Sequence, residues 1–206
     1  MEVAPTAHHI MGGLRITPEC RTTLPGLFAC GEVSGGVHGA NRLGGNALAE
    51  TQVFGRRAGE MAGKARKRKK TIDLMQVEGQ QDRLAAFLEG DENPAKVRVQ
   101  LQKMMWKGAG IFRTAADLQN TLKTIAHLSS VKIKASSAQN LAECCILQNM
   151  CLTASLICRS ALIREESRGA HVRRDVQQPF DSQHSPFGHT YISKSREGVE
   201  RKEAGA

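Results

Sequence analysis

The chain has 206 residues, 40% of them hydrophobic and 24% charged, a composition that belongs to globular proteins and excludes disordered and collagen-like classes. Its 29 Lys and Arg against 20 Asp and Glu leave a formal charge of +9, which would favour an acidic partner if it were spread over one surface. It is concentrated instead in Lys64, Arg66, Lys67, Arg68, Lys69 and Lys70, so the rest of the chain is only mildly basic. Residues 1–62 are glycine-rich, with Gly-Gly pairs at 12–13, 35–36 and 44–45. Gly13–Thr17 and Gly26–Cys30 read as strand-like pieces separated by Pro18 and Pro25. A helix is predicted from Asn46, taken as its N-cap, through Ala47, Leu48 and Glu50 toward Gly63. Strand, glycine loop and helix N-terminus is the order in which α/β folds present a bound anion or cofactor.

Beyond the basic run the pattern turns helical. A short amphipathic piece covers 82–89, and Asn93-Pro94 reads as N-cap and N1 of a helix with Val97, Leu101, Met104 and Gly108 on one face. Thr114 to Asp117 reads as a capping-box start for a helix bearing Leu118, Leu122 and Ile125. A long third helix runs from about Ser137 to Ile163, with Leu141, Cys145, Leu152, Leu156 and Ile163 as its predicted core face. From Arg164 the chain is polar, with Phe180, Phe187 and Tyr191 as its apolar anchors, and reads as a segment packed over a larger body or left partly disordered.

The six cysteines, Cys20, Cys30, Cys144, Cys145, Cys151 and Cys158, contain no C-x-x-C pair and make no disulfide framework, which points to a reducing, cytoplasmic environment. Cys144, Cys151 and Cys158 share heptad spacing, but three thiols on one helix without a second ligand cluster are a poor zinc site and read as packing residues. His8 and His9 are adjacent, and neighbours in sequence rarely aim at one ligand, so no metal site is predicted. The longest uncharged stretch, Cys144 to Cys158, is interrupted by Gln148, Asn149, Thr153 and Ser155 and falls short of the roughly 20 apolar residues of a spanning helix. No transmembrane segment is predicted, and peripheral attachment to a membrane complex is compatible with that.

Three segments carry most of the chemistry: His8-His9-Ile10-Met11-Gly12-Gly13, Gly26-Leu27-Phe28-Ala29-Cys30-Gly31-Glu32, and His38-Gly39-Ala40-Asn41-Arg42-Leu43-Gly44-Gly45-Asn46. Singly, each has an ordinary reading, His8 and His9 as polar residues before a turn and Arg42 as a surface charge. Together they resemble the flavoprotein subunit family of fumarate reductase and succinate dehydrogenase, which includes L-aspartate oxidase. The resemblance is dense over residues 4–60 and continues more weakly through Gly110-Ile111-Phe112-Arg113-Thr114 and Glu166-Ser167-Arg168-Gly169-Ala170-His171. Beyond about Asp175 there is no match.

That resemblance implies an enzyme, an FAD-dependent oxidoreductase moving a hydride between flavin and a small dicarboxylate, fumarate to succinate or the reverse. His8 and Arg42 fall on the family's substrate-binding positions. The residue types suit the task, because a guanidinium fork binds a carboxylate bidentately and an imidazole can donate a hydrogen bond to the same substrate. Glu32, expected at the end of an apolar strand, would accept hydrogen bonds from ribityl hydroxyls. Asn46, Ala47 and Leu48 would face the flavin pyrimidine edge through the helix N-terminus and its dipole. Two positions depart from the family: Ala47, where Ser is frequent, and His9, where Tyr is commoner. The chain also lacks the family's G-x-G-x-x-G βαβ unit, its histidine for covalent flavin attachment and its upstream proton-delivering arginine. It therefore reads as the C-terminal part of a longer flavoprotein, expected neither to hold FAD tightly nor to turn over alone.

The expected fold is an α+β fragment. Residues 1–63 form the C-terminal segment of an FAD-binding α/β domain, 64–76 a basic linker, 77–165 a three-helix bundle domain and 166–206 a polar tail. An alternative role, compatible with the first, is a helical docking module for an iron–sulfur partner subunit. The weaker rival is a basic nucleic-acid-binding module on Lys64–Lys70, since the run has no interleaved aromatics and no recognisable binding motif. The implied setting is cytoplasmic, or membrane-associated through a partner, with a dicarboxylate as substrate and no nucleic acid. Reaction direction, electron donor, the choice between fumarate-type and L-aspartate-type substrates and the oligomeric state have no readable signature in the sequence.

Overall fold

The structure is a computed structural model and describes residues 7–65, 73–177 and 189–193. The chain divides into two compact units, Met1–Lys69 and Lys70–Ala206.

In the first unit, β1 (Leu14–Arg15) pairs in parallel with β2 (Ser34–Gly35), Leu14 opposite Ser34 and Arg15 opposite Gly35. Gly13 is required beside this pair, because a Cβ there would stand 2.2 Å from the Val33 carbonyl oxygen. Gly26–Cys30, expected as a strand, meets the chain only through an isolated antiparallel bridge between Arg21 and Phe28. The turn itself is closed by Thr22, whose N–H and hydroxyl both reach the Leu27 carbonyl, but neither arm continues: residues 17–21 fold into their own turn, with Cys20 at φ 60°, and the other arm enters a 3-10 helix at Gly31. A one-turn 3-10 helix, Gly31–Val33, leads into β2.

Helix α1 spans Asn46–Lys64. Its N-cap is Gly45 and not Asn46: Gly45 adopts a left-handed conformation (φ 83°) that turns the chain into the helix, a conformation that favours glycine, and Asn46 is already the first helical residue. The remainder of the basic run beyond Ala65 lies outside the described residues.

The second unit opens with α2 (Leu74–Ala85), which begins ahead of both the residue-77 boundary and the 82–89 piece expected from the sequence. Asp73 sets that start by accepting the Met75 N–H at 3.1 Å. A 3-10 turn, Ala86–Leu88, follows it. Then come α3 (Pro94–Ala109), β3 (Phe112–Arg113), α4 (Ala115–Ser130), α5 (Ala138–Ile163) and β4 (Val172–Arg173), with β4 parallel to β3. Asn93 accepts from Ala95, Thr114 from Asp117 and Ser137 from Asn140, so α3, α4 and α5 each start at a side-chain cap.

Helices α3, α4 and α5 each pack on the other two. Their shared core takes Val97 and Leu101 from α3 and Leu118, Ile125 and Leu128 from α4, and the connecting segments add Phe87, Ile133 and Ala135. On α3 it is Met105 that joins the core, while Met104 is half-buried to one side. The predicted face of α5 is corrected. Its buried stripe is Cys144, Leu147, Cys151, Ala154, Cys158 and Ala161, whereas Leu152 is 60% and Leu156 38% exposed. Mostly small side chains on the buried stripe let α5 lie close to its neighbours, and this close packing decides the face against side-chain size. The cysteines among the described residues are all free. At 26 residues with a mean hydropathy of 1.5 in its most apolar stretch, α5 is long and apolar enough to cross a membrane, a test that core helices also pass.

Residues 164–177 are built into the second unit and not laid over it. Arg173, 4% exposed, donates to the carbonyls of Ala161, Leu162 and Arg164 at the end of α5 and forms a two-pronged pair with Asp175 at 2.8 and 3.0 Å. Asp175 in turn accepts the Ala115 N–H at 2.8 Å at the start of α4. Glu166 is buried between Arg164 and Arg168. Of the expected tail anchors, Tyr191 is half-buried, and Phe180 and Phe187 lie outside the described residues.

Candidate functional site

Each residue predicted to touch substrate or flavin lies in the first unit, around the loop between β2 and α1. Arg42 sits on that loop and its Nη2 is 2.9 Å from Nε2 of His8, a residue distant in sequence. A guanidinium has donors only, so His8 Nε2 is the acceptor. Arg42 Nε is buried without a hydrogen-bond partner among the described residues, which leaves part of the fork uncommitted.

Glu32 is on the 3-10 turn and not at a strand end. Its side chain is 51% exposed, Oε1 accepts the Ile10 N–H at 2.9 Å, and Oε2 lies 3.7 Å from His9 Nδ1. Part of the acceptor capacity expected to meet ribityl hydroxyls thus holds the His8–Ile10 segment in place. A carboxylate has about four lone-pair sites, so capacity remains.

The start of α1 carries no side-chain cap. The Asn46 N–H donates to the Leu43 carbonyl at 3.3 Å, but the N-cap makes no side-chain bond and the first turn contains no acidic residue, so the N–H groups of Ala47 and Leu48 and the positive end of the helix dipole stay available there. Leu43 and Leu48 are 73% and 76% exposed on either side of that terminus. Uncapped donors, an uncommitted arginine nitrogen and flanking exposed leucines suit a planar cofactor with an electron-rich polar edge, and FAD fits that description.

Three further residues belong to the site and were missed as such by sequence reasoning. Glu50, 5% exposed, accepts the Gly31 N–H at 2.8 Å. His38 Nε2 lies 3.9 Å from Glu50 Oε2, and the His38 ring stands edge-on to His9 with centroids 5.4 Å apart. The available signal was Glu50 itself, an acid one helical turn past Asn46 and so on the same face as the helix start. Among the described residues there is no group of three or more His, Cys, Asp or Glu side chains placed to hold a metal ion.

Residues 1–48 match a family model described as an FAD binding domain, and residues 98–203, more than half of the chain, match one described as fumarate reductase flavoprotein C-term. The chain belongs to the fumarate reductase flavoprotein family. Similar proteins include a fumarate reductase (CoM/CoB) subunit of Methanothermobacter marburgensis, 50% identical over 188 residues, with 86% of this chain and 34% of that protein covered. The fumarate reductase flavoprotein subunit of Escherichia coli is 36% identical over 215 residues, covering 98% of this chain and 36% of its own length. A structure of the E. coli quinol fumarate reductase flavoprotein superposes with a TM-score of 0.83 at 34% identity, covering 98% of this chain and 37% of that one. The chain therefore spans about a third of the length of the fumarate reductase flavoproteins it matches. The family and its cofactor, FAD, agree with the sequence reading, and the fold is a helix-rich α+β fragment corresponding to the C-terminal part of the flavoprotein.

Proposed function

We propose that this chain supplies the dicarboxylate-binding surface and part of the flavin-binding surface of an FAD-dependent oxidoreductase of fumarate reductase or succinate dehydrogenase type. The observation that carries this reading is the 2.9 Å approach of Arg42 to His8 beside the uncapped N-terminus of α1. FAD, when bound, supplies the hydride chemistry. Arg42 binds one substrate carboxylate through its fork, and a carboxylate oxygen replaces His8 Nε2 as its acceptor. His8 then turns a ring N–H toward the same substrate and orients it. The N–H groups of Ala47 and Leu48 face the flavin's polar edge through backbone alone, since the Ala47 methyl offers no hydrogen bond. Asn46 begins the turn that presents them, and the remaining lone pairs of Glu32 receive ribityl hydroxyls.

On the same reading, the segment through α1 belongs to the flavin domain, the residues between α1 and α2 to a basic linker, α2 to residue 165 to a helical domain built on α3, α4 and α5, and 166–206 to the tail. An iron–sulfur subunit is the partner that would exchange electrons with the flavin. Support for a partner comes from relatives described as subunits and from Trp106 and Phe112, 64% and 56% exposed on the second unit. The setting is the cytoplasm, or a membrane complex reached through that partner.

The test is calorimetric titration of succinate into the chain supplemented with FAD. Saturable binding is expected, weakened about tenfold or more in Arg42→Lys, which keeps the charge and loses the fork. Equal affinity of the two proteins, or no binding to either, would refute the dicarboxylate assignment.

A further inference from the structure

Behind Arg42 and His8 lies a set of buried side chains that substrate and flavin binding leave unused. Glu50 on the second turn of α1 has Oε1 on the Gly31 N–H and Oε2 without a hydrogen-bond partner among the described residues. His38 Nε2 faces that oxygen at 3.9 Å, and the His38 side chain is 9% exposed. The His38 ring meets the His9 ring at an interplanar angle of 74°. Across His9, Glu32 lies 3.7 Å from Nδ1 and holds the Ile10 N–H at 2.9 Å. A buried carboxylate is costly, and it persists where the groups around it compensate.

We propose that Glu50 and His38 are positioning residues for the Arg42–His8 pair, an inference that rests on the dicarboxylate reading above. Arg42 is near the middle of the loop formed by residues 38–46. One end of that loop runs into α1 at Asn46, and the other is drawn to Glu50 on the next turn of the same helix. Both ends are thereby referred to one rigid element. His8 receives the same reference through His9, whose ring stands against His38 while Glu32 holds the following backbone. Arg42 follows His38 by four residues on that loop, and His8 precedes His9, whose ring meets that of His38, so both members of the pair are tied to His38. Displacing a binding group by about 1 Å costs on the order of 100-fold in a preorganised site, so such support is functionally visible. The geometry uses the carboxylate's shape and acceptor. Glu50→Gln keeps an acceptor for the Gly31 N–H and turns an amide donor toward His38 Nε2, whereas Glu50→Ala removes both.

The experiment compares the full 206-residue chain with Glu50→Gln and Glu50→Ala. Succinate affinity is measured with FAD present, and nuclear Overhauser contacts between the His8 ring and the Arg42 side chain are measured without ligand. Glu50→Gln should keep the contacts and an affinity within about threefold of the parent, and Glu50→Ala should lose the contacts and bind about tenfold or more weakly. Amide exchange at Leu118 and Ile125 reports that the second unit is intact. If Glu50→Ala unfolds the first unit, His38→Ala takes its place with the same expected losses. Persistence of the contacts in the alanine variants, or failure of Glu50→Gln to rescue, overturns the positioning role. Absence of succinate binding in the parent refutes the substrate reading by itself, and the ligand-free contacts then still decide the role of Glu50 and His38.

Discussion

His171 illustrates how one side chain in the second unit is fixed in protonation as well as in place. Its Nδ1 lies 2.9 Å from Arg113 Nη1, and its Nε2 lies 3.0 Å from the Arg164 carbonyl. Arg113 can only donate, so Nδ1 accepts and the single ring proton sits on Nε2, donating to the carbonyl. Burial lowers the His171 pKa from its ordinary 6.5, and the adjacent Arg113 and Arg173 cations push in the same direction. A group whose folded-state pKa is depressed contributes stability that is present above its unfolded pKa and lost as pH falls through the folded value. Thermal melting should therefore show stability declining below about pH 6.5, and His171→Gln, which cannot protonate, should flatten that part of the profile. Asp175 adds a second, more acidic window. The Arg173 donors hold its carboxyl well below the ordinary 3.8, so its contribution persists until the pH drops beneath that value. An unchanged slope between pH 7 and 5 in His171→Gln would remove His171 from this account.

At the scale of elements, the close crossing of α3 and α4 depends on one absent side chain. A Cβ on Gly108 would lie 2.0 Å from Thr121 Oγ1, a buried atom that has no hydrogen-bond partner among the described residues. Gly108→Ala should destabilise the second unit by about 1–3 kcal/mol in urea unfolding, the usual cost of overpacking, despite alanine's better helix propensity. Adding Thr121→Ala should recover part of that loss. A neutral or stabilising Gly108→Ala would show that the two helices do not meet this way. Helix starts were legible in the sequence because caps are local: Asn93, Thr114 and Ser137 each act within three residues. The buried face of α5 was not. Large apolar residues occur on both sides of that helix, and the contest is settled by how near the small Cys and Ala side chains let α3 and α4 come. The strand expected at Gly26–Cys30 failed for another local reason, since its would-be partner, residues 17–21, folds into a separate turn and the chain enters a 3-10 helix at Gly31.

For the molecule as a whole, the excess of basic charge divides from the groups assigned to binding. The run from Lys64 to Lys70 begins at the last residue of α1, whereas Arg42 and His8 precede that helix in sequence. A cluster of lysines and arginines attracts duplex DNA by counterion release, and that attraction falls steeply with salt. Binding of the chain to random duplex measured by fluorescence anisotropy should be detectable at low ionic strength and lost by about 150 mM salt. Retention at that concentration would reopen a nucleic-acid role. The pairing of His8 with Arg42 was legible as two motif positions on a common family pattern. Their support by Glu50, His38 and His9 was not, because it depends on which residues a left-handed glycine and a helical turn bring face to face.

Helix α1 also behaves as a ruler for the first unit. Glu50 reaches Gly31 only because it stands one turn beyond the point at which the chain enters the helix. Each residue advances a helix by about 100°. A single insertion between Asn46 and Glu50 would swing the carboxylate to another side while leaving every motif side chain in the sequence. Length in this short interval is therefore as constrained as composition.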